Sequence, residues 1–177
     1  MSTEPLPTIL DVRKAAVRGA SISGALKPRD LKRFRPLLGG DEGSILVEMD
    51  FSRDEESRYL VHVAVDADIV VTCQRCLEAM PEQLSCENTL AILWTDEEAA
   101  HLPRHLDPLL VREPSCSLWD LVEDELMLAM RPFSYHATED CKMKIAGFSE
   151  PAPQQGTGEN KPNPFNVLEQ LRPSNKH

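Results

Sequence analysis

The chain has 177 residues, a length for one domain with a tail, and at 41% apolar it can bury a core, which excludes global disorder. No apolar run approaches the ~20 residues of a membrane span, and Met1 to Ile9 lacks the basic start and apolar stretch of a signal peptide, so a cytoplasmic protein is expected. The formal net charge of −10 is uneven: residues 1–40 hold eight Lys/Arg against three acids, a net of +5, and the remainder holds 11 against 26, a net of −15. The basic segment suits a phosphate backbone, the acidic body repels one and suits a basic protein, and plain solubility is the simpler use of either.

In chain order, residues 28–38 (PRDLKRFRPLL) predict a short basic helix, with Pro28 in its first turn and Gly39-Gly40 beyond its end. Arg29, Lys32 and Arg33 would share its outer face, and Leu31 and Phe34 would point inward. Residues 45–51 alternate apolar Ile45, Val47, Met49 and Phe51 with Glu48 and Asp50, the pattern of a half-buried strand. Tyr59 to Val65 repeats it, Asp66-Ala67-Asp68 reads as a turn, residues 69–73 return, and Leu84 to Trp94 predicts a fourth strand. Four strands on short connections predict an antiparallel meander rather than βαβ units.

Ser117 to Met130 is the clearest helix, with Ser117 and Asp120 fitting a capping box and Arg131-Pro132 ending it. Its face of Leu118, Leu121, Val122, Leu126 and Ala129 places Glu125 among apolar neighbours. A carboxylate there needs an ion pair or backbone hydrogen bonds, which we expect near the Cys73–Cys76 turn, or it takes up a proton. After Gly147 the composition shifts: residues 149–160 (SEPAPQQGTGEN) predict a flexible linker, and residues 161–177 a docking segment in which Phe165, Leu168 and Leu171 share one helical face. The expected organisation is therefore one α+β domain over residues 1–148, with an antiparallel sheet, one long packed helix, a short basic N-terminal helix and the tethered C-terminal segment.

The sharpest chemical feature is Cys73-Gln74-Arg75-Cys76. Two thiolates at this spacing bind one tetrahedral zinc if a second pair closes the site, and His136 with Cys141 is the candidate pair. A reduced structural pair is the plainer reading, and Cys86 and Cys116 read as isolated thiols. A thioredoxin-like Cys-x-x-Cys opens a helix after a strand in a βαβ unit, so a thiol oxidoreductase fits this context poorly. Phosphate-binding Gly-rich loops, His-Glu-x-x-His and nucleophile elbows are absent, and His62, His101 and His105 stand alone. Aromatics are 5% of the chain, and RNA-reading aromatics interleaved with Arg or Lys are not expected. An enzyme is not expected, and neither is a small-molecule substrate or a membrane partner.

The order of Cys73-Gln-Arg-Cys76, Val122-Glu-Asp-Glu-Leu126 leading to Pro132, the His136–Cys141 segment, and Lys161-Pro-Asn-Pro-Phe165 with Val167-Leu168 closely resembles the bacterial YceD family of large ribosomal RNA subunit accumulation proteins. The resemblance spans nearly the whole chain. It implies a non-catalytic role in synthesis, processing or accumulation of large-subunit (23S) ribosomal RNA, with the RNA precursor or basic large-subunit ribosomal proteins as partners. Family members with further cysteines around and after the position of Cys141 look like completed zinc sites, whereas this chain has His136 and Cys141 there. For direct RNA contact the candidates are Arg13, Lys14, Arg18, Arg29, Lys32, Arg33 and Arg35. A zinc-stabilised protein-interaction module unrelated to ribosomes is the alternative.

Overall fold

The structure, a computed structural model, describes residues 4–113, 115–137, 139 and 141. The expected linker at 149–160 and docking residues Phe165, Leu168 and Leu171 lie outside the described residues. The protein has mixed α/β content, mostly strand. A five-stranded sheet is built from β2 (Ser21–Leu26), β3 (Gly43–Arg53), β4 (Tyr59–Thr72), β5 (Ala79–Leu93) and β6 (Asp107–Leu110), in that spatial order. The first four strands pair antiparallel; β6 runs parallel to β5, a crossover that the expected all-antiparallel meander lacks. β1 (Ile9–Asp11) pairs with β7 (Ser115–Ser117) in a separate ribbon.

The two inner strands carry the core. Ile45, Val47, Met49 and Phe51 of β3 are all buried, as their alternation predicts. In β4 that alternation continues without a break through Val61, Val63, Val65, Ala67, Ile69 and Val71. Asp66-Ala67-Asp68 is therefore not a turn. Both aspartates point to the opposite, open face of the sheet, where water solvates them, and Asp68 also accepts a bond from Gln83 Nε2 at 2.9 Å. Unbroken burial on one face outweighs the local turn preference of Asp.

Two helices lie against the core face. Helix α1 (Val12–Arg18) is capped by Asp11, which accepts from Lys14 N, and ends at Gly19 with φ 62°. Helix α3 (Leu118–Ala129) is twelve residues, of ordinary length, capped by Ser117, whose Oγ accepts from Asp120 N at 3.2 Å. A much shorter helix, α2 (Asp96–Ala99), lies on the β5–β6 crossover with a complete capping box between Thr95 and Glu98. The β1–β7 ribbon fixes where α3 starts, through Leu118 N to Thr8 O at 2.9 Å and Trp119 Nε1 to Leu6 O at 3.0 Å.

Residues 28–38 do not form the expected helix. They make two 3-10 turns, Pro28–Asp30 and Arg35–Leu37. An α-helix would spend the amides of Arg33 and Phe34 on carbonyls four residues back; here both donate to Glu123 Oε1, at 2.7 and 3.4 Å. Pro36 lacks an amide and disfavours helical geometry at Arg35. Leu31 and Phe34 do point inward, at 1% and 0% exposure.

Glu125 is buried, but its partner is not at the cysteine turn: Asn88 Nδ2 on β5 donates to Glu125 Oε2 at 3.4 Å and to Asp107 Oδ2 at 3.2 Å. Burial pushes the Glu125 carboxyl up, the Asn88 bond works against that, and the charges of Asp107 and Asp124 add to it. A folded-state pKa above the unfolded value makes this site most stabilising below about 4.5, with stability lost as pH rises through the raised value. Glu125→Gln keeps an acceptor for Asn88 and removes the charge. It is expected to raise unfolding free energy by up to about 1 kcal/mol near pH 7, discounted for screening through exposed Asp107, and to change nothing near pH 4. Paired urea titrations at the two pH values check this.

Candidate metal centre

Six residues, 73–78, connect β4 to β5. Cys73 N donates to Glu78 O and Leu77 N to Cys73 O, both at 2.8 Å, closing a tight turn that turns the Cys73 and Cys76 sulfurs to the same side. Leu77 completes it with φ 62°, a left-handed conformation costly for a branched side chain. Beyond α3, the stretch from Arg131 to Ala137 runs past this turn. Gln74 N donates to Ser134 O at 3.0 Å, and Gln74 Nε2 to Pro132 O at 3.5 Å. Ser134 Oγ donates to Glu82 Oε2 at 2.6 Å. Cys141 N donates to Ala137 O at 3.3 Å, and the Cys141 sulfur lies against the turn.

The result brings together four side chains from the two ends of a long intervening segment. Cys73 Sγ lies 3.6 Å from Cys141 Sγ, and Cys76 Sγ 3.3 Å from His136 Nδ1. All four donor atoms fall within 4.8 Å of one another. Zinc–sulfur bonds of about 2.3 Å at tetrahedral angles separate two ligand sulfurs by about 3.8 Å. Spacing and chemistry both fit: three sulfurs and one imidazole nitrogen suit a soft or borderline cation. Cys73 and Cys141 are fully buried, Cys76 and His136 partly so.

Burial pushes the Cys73 thiol up, but the backbone amides of Cys76, His136 and Arg75, with the His136 side chain, outweigh it and hold Cys73 down at about 5. A thiolate is what a metal needs. The same depression would also activate a redox cysteine, so acidity does not separate these chemistries. Accessibility does favour the ligand role, since Cys73 has 0% exposure. Cys141 moves the other way, raised by burial and by its two cysteine neighbours. Cys86 and Cys116 lie outside the cluster, both raised by burial.

Most of the N-terminal cations are occupied. Arg33 pairs with Asp124 at 2.7 Å, Arg35 holds Asp41 through two bonds of 2.8 and 2.7 Å, Lys14 pairs with Asp11 at 2.8 Å, and Arg29 lies 3.9 Å from Asp30. The Arg13 guanidinium sits over Tyr59 and Trp94, at 5.8 and 6.0 Å from the ring centres. Only Arg18 and Lys32 of the seven make no ion pair or ring contact among the described residues. These cations spread from α1 to the 3-10 turns rather than lining one helix face.

Fold and cluster together define a strand-rich α/β protein with a thiol–imidazole centre of metal-ligand type. Residues 61–172 match the family described as large ribosomal RNA subunit accumulation protein YceD, and the chain belongs to that family. It is similar to the large ribosomal RNA subunit accumulation protein YceD of Haemophilus influenzae, 28% identical over 179 residues that cover 97% of this chain and 99% of that protein. No solved structure matches the chain. Among the described residues no helix is long and apolar enough to cross a membrane.

Proposed function

We propose that this protein supports the accumulation of large-subunit ribosomal RNA in the cytoplasm as a binding protein without catalytic activity, and that zinc holds its working end together. The observation carrying the zinc part is the convergence of Cys73, Cys76, His136 and Cys141 to within 4.8 Å in a chain of this family. Four protein donors would close the zinc coordination shell, leaving no open position for water or substrate, which is the arrangement of a structural site. When bound, the metal would supply cross-linking of the β4–β5 turn to the segment after α3. The protein's own groups do the rest: amides from Arg75, Cys76 and His136 favour the Cys73 thiolate, and Gln74 ties the two segments side by side. A thiol oxidoreductase is disfavoured by a Cys-x-x-Cys that joins two antiparallel strands and whose first sulfur is sealed from solvent.

A basic large-subunit ribosomal protein is a second partner consistent with the acidic body. The open face of the sheet carries Glu48, Asp50, Asp66, Asp68 and Glu87, and among the described residues no Lys or Arg is aligned with them by register; His62 Nε2 lies 3.2 Å from Glu87 Oε1. The test of the reading is the ratio of large- to small-subunit ribosomal RNA in cells depleted of the protein. A selective fall that the intact gene restores is expected; an unchanged ratio would overturn it.

A further inference from the structure

Beside the cysteine turn lie the exposed aromatic side chains of the described residues. Among the described residues, Phe34 and Phe51 are buried and Tyr59, Trp94 and Trp119 are partly buried. Phe133 and Tyr135 alone are exposed, at 65% and 46%, and both belong to the segment that supplies His136. Their rings are parallel to within 10°, with centres 6.4 Å apart. The Arg75 guanidinium, from between Cys73 and Cys76, lies over Tyr135 at 5.1 Å from the ring centre. Leu77 stands beside Arg75 in the turn, 77% exposed and held at φ 62°, where glycine would be less strained. Arg131 adds a second largely exposed guanidinium, whose Nε is 3.5 Å from Glu82.

We propose that this surface binds unpaired nucleotides of RNA, and that RNA contact is made here rather than on the basic N-terminal segment. The proposal rests on the ribosomal-RNA reading above. A nucleotide combines a flat π-face with an anionic phosphate. Phe133, Tyr135 and Arg75 offer flat faces in succession, and Arg75 and Arg131 offer fixed positive charge. Stacking on aromatics requires bases that are not paired, so single strands, loops and bulges are the matching partners and a continuous duplex is not. A basic protein would gain nothing from the two guanidinium groups. Of the N-terminal cations, Lys14, Arg29, Arg35 and Arg33 are engaged with Asp11, Asp30, Asp41 and Asp124, as Arg131 is with Glu82, and none of these four lies over an aromatic ring. Pre-organisation comes from the turn: the Gln74 bonds to Ser134 and Pro132 fix the aromatic segment against Arg75 before RNA arrives.

The test measures the full-length protein as purified against a short fluorescent single-stranded oligoribonucleotide of mixed sequence and the same sequence as duplex. We expect single-strand affinity to fall about 5- to 100-fold in the Phe133→Ala/Tyr135→Ala double variant. It should survive in Phe133→Trp and Tyr135→Phe, and in charge reversal at Arg29, Lys32 and Arg33. Metal content and thermal midpoint serve as folding controls, since both aromatics are exposed. Unchanged affinity in the double variant overturns the proposal. So does a native protein that binds no single strand, or a double variant that loses a ribosomal protein instead of RNA. These failures are distinct from failure of the broader reading: a protein that restores the ribosomal RNA ratio equally well with and without Phe133 and Tyr135 keeps its role and loses this surface.

Discussion

Cys73→Ser is expected to reduce zinc from about one per chain to a trace and to weaken the affinity by well over 100-fold, more than the loss of an outer-shell partner costs. Cys73 is the most constrained of the four candidate ligands. It is sealed from solvent, its sulfur accepts from His136 N at 3.5 Å, and it lies 3.6 Å from Cys141. A serine oxygen would sit in the same cage of amides but offers zinc a poor, protonated donor. The sheet should remain folded, because Val61 to Val71 and their neighbours on β3 are buried independently of the cluster. What should loosen is the stretch from Arg131 to Cys141, seen as faster amide exchange there alone. Cys116→Ser, outside the cluster, should bind zinc as the unaltered chain does. Metal analysis with chelator competition decides it; full zinc occupancy in Cys73→Ser would remove the site.

The second large effect concerns the sheet. Gly43 opens β3 opposite Ile69 with φ 125°, and a Cβ added there would lie 2.0 Å from the Asp68 carbonyl oxygen. β4 cannot yield easily, since from Tyr59 to Ile69 it is paired with β3 on one side and β5 on the other. Gly43→Ala is expected to cost at least about 3 kcal/mol, combining a backbone strain with a clash against main chain. Gly19 is the control. It also has positive φ, 62°, but nothing lies within 4 Å of its added Cβ. Gly19→Ala should therefore cost only about 1 kcal/mol, the left-handed penalty alone. Urea midpoints at constant slope separate the two cases.

What was legible in the sequence follows from how far each signal reaches along the chain. The alternation in residues 45–51 and 59–65 is local, and it located the centre of β3 and the first half of β4. The Asp66–Asp68 turn was an error of the same locality: two aspartates suggest a turn only if the burial pattern on either side is out of phase, and here it is in phase from Val61 to Val71. The signals for α1, an Asp cap before it and Gly19 after it, were present but brief. Glu125 was visible because its face is apolar. Glu123 was not, because its partners are the amides of Arg33 and Phe34, some ninety residues away. Likewise the Cys73–Cys76 spacing pointed to a metal pair, but only the fold brings His136 and Cys141 to it. The aromatic surface was only half legible: Arg131, Phe133 and Tyr135 do alternate along the chain and went unread, but Arg75 lies far from them in sequence and only the fold sets it over Tyr135.

The most direct test of the central claim, that the metal-held turn is where this protein serves ribosomal RNA accumulation, is the large- to small-subunit ribosomal RNA ratio in depleted cells supplied with a Cys73→Ser/Cys141→Ser chain at normal abundance. The ratio should stay low, while cells given the unaltered chain recover it. Full recovery with the double variant would contradict the claim.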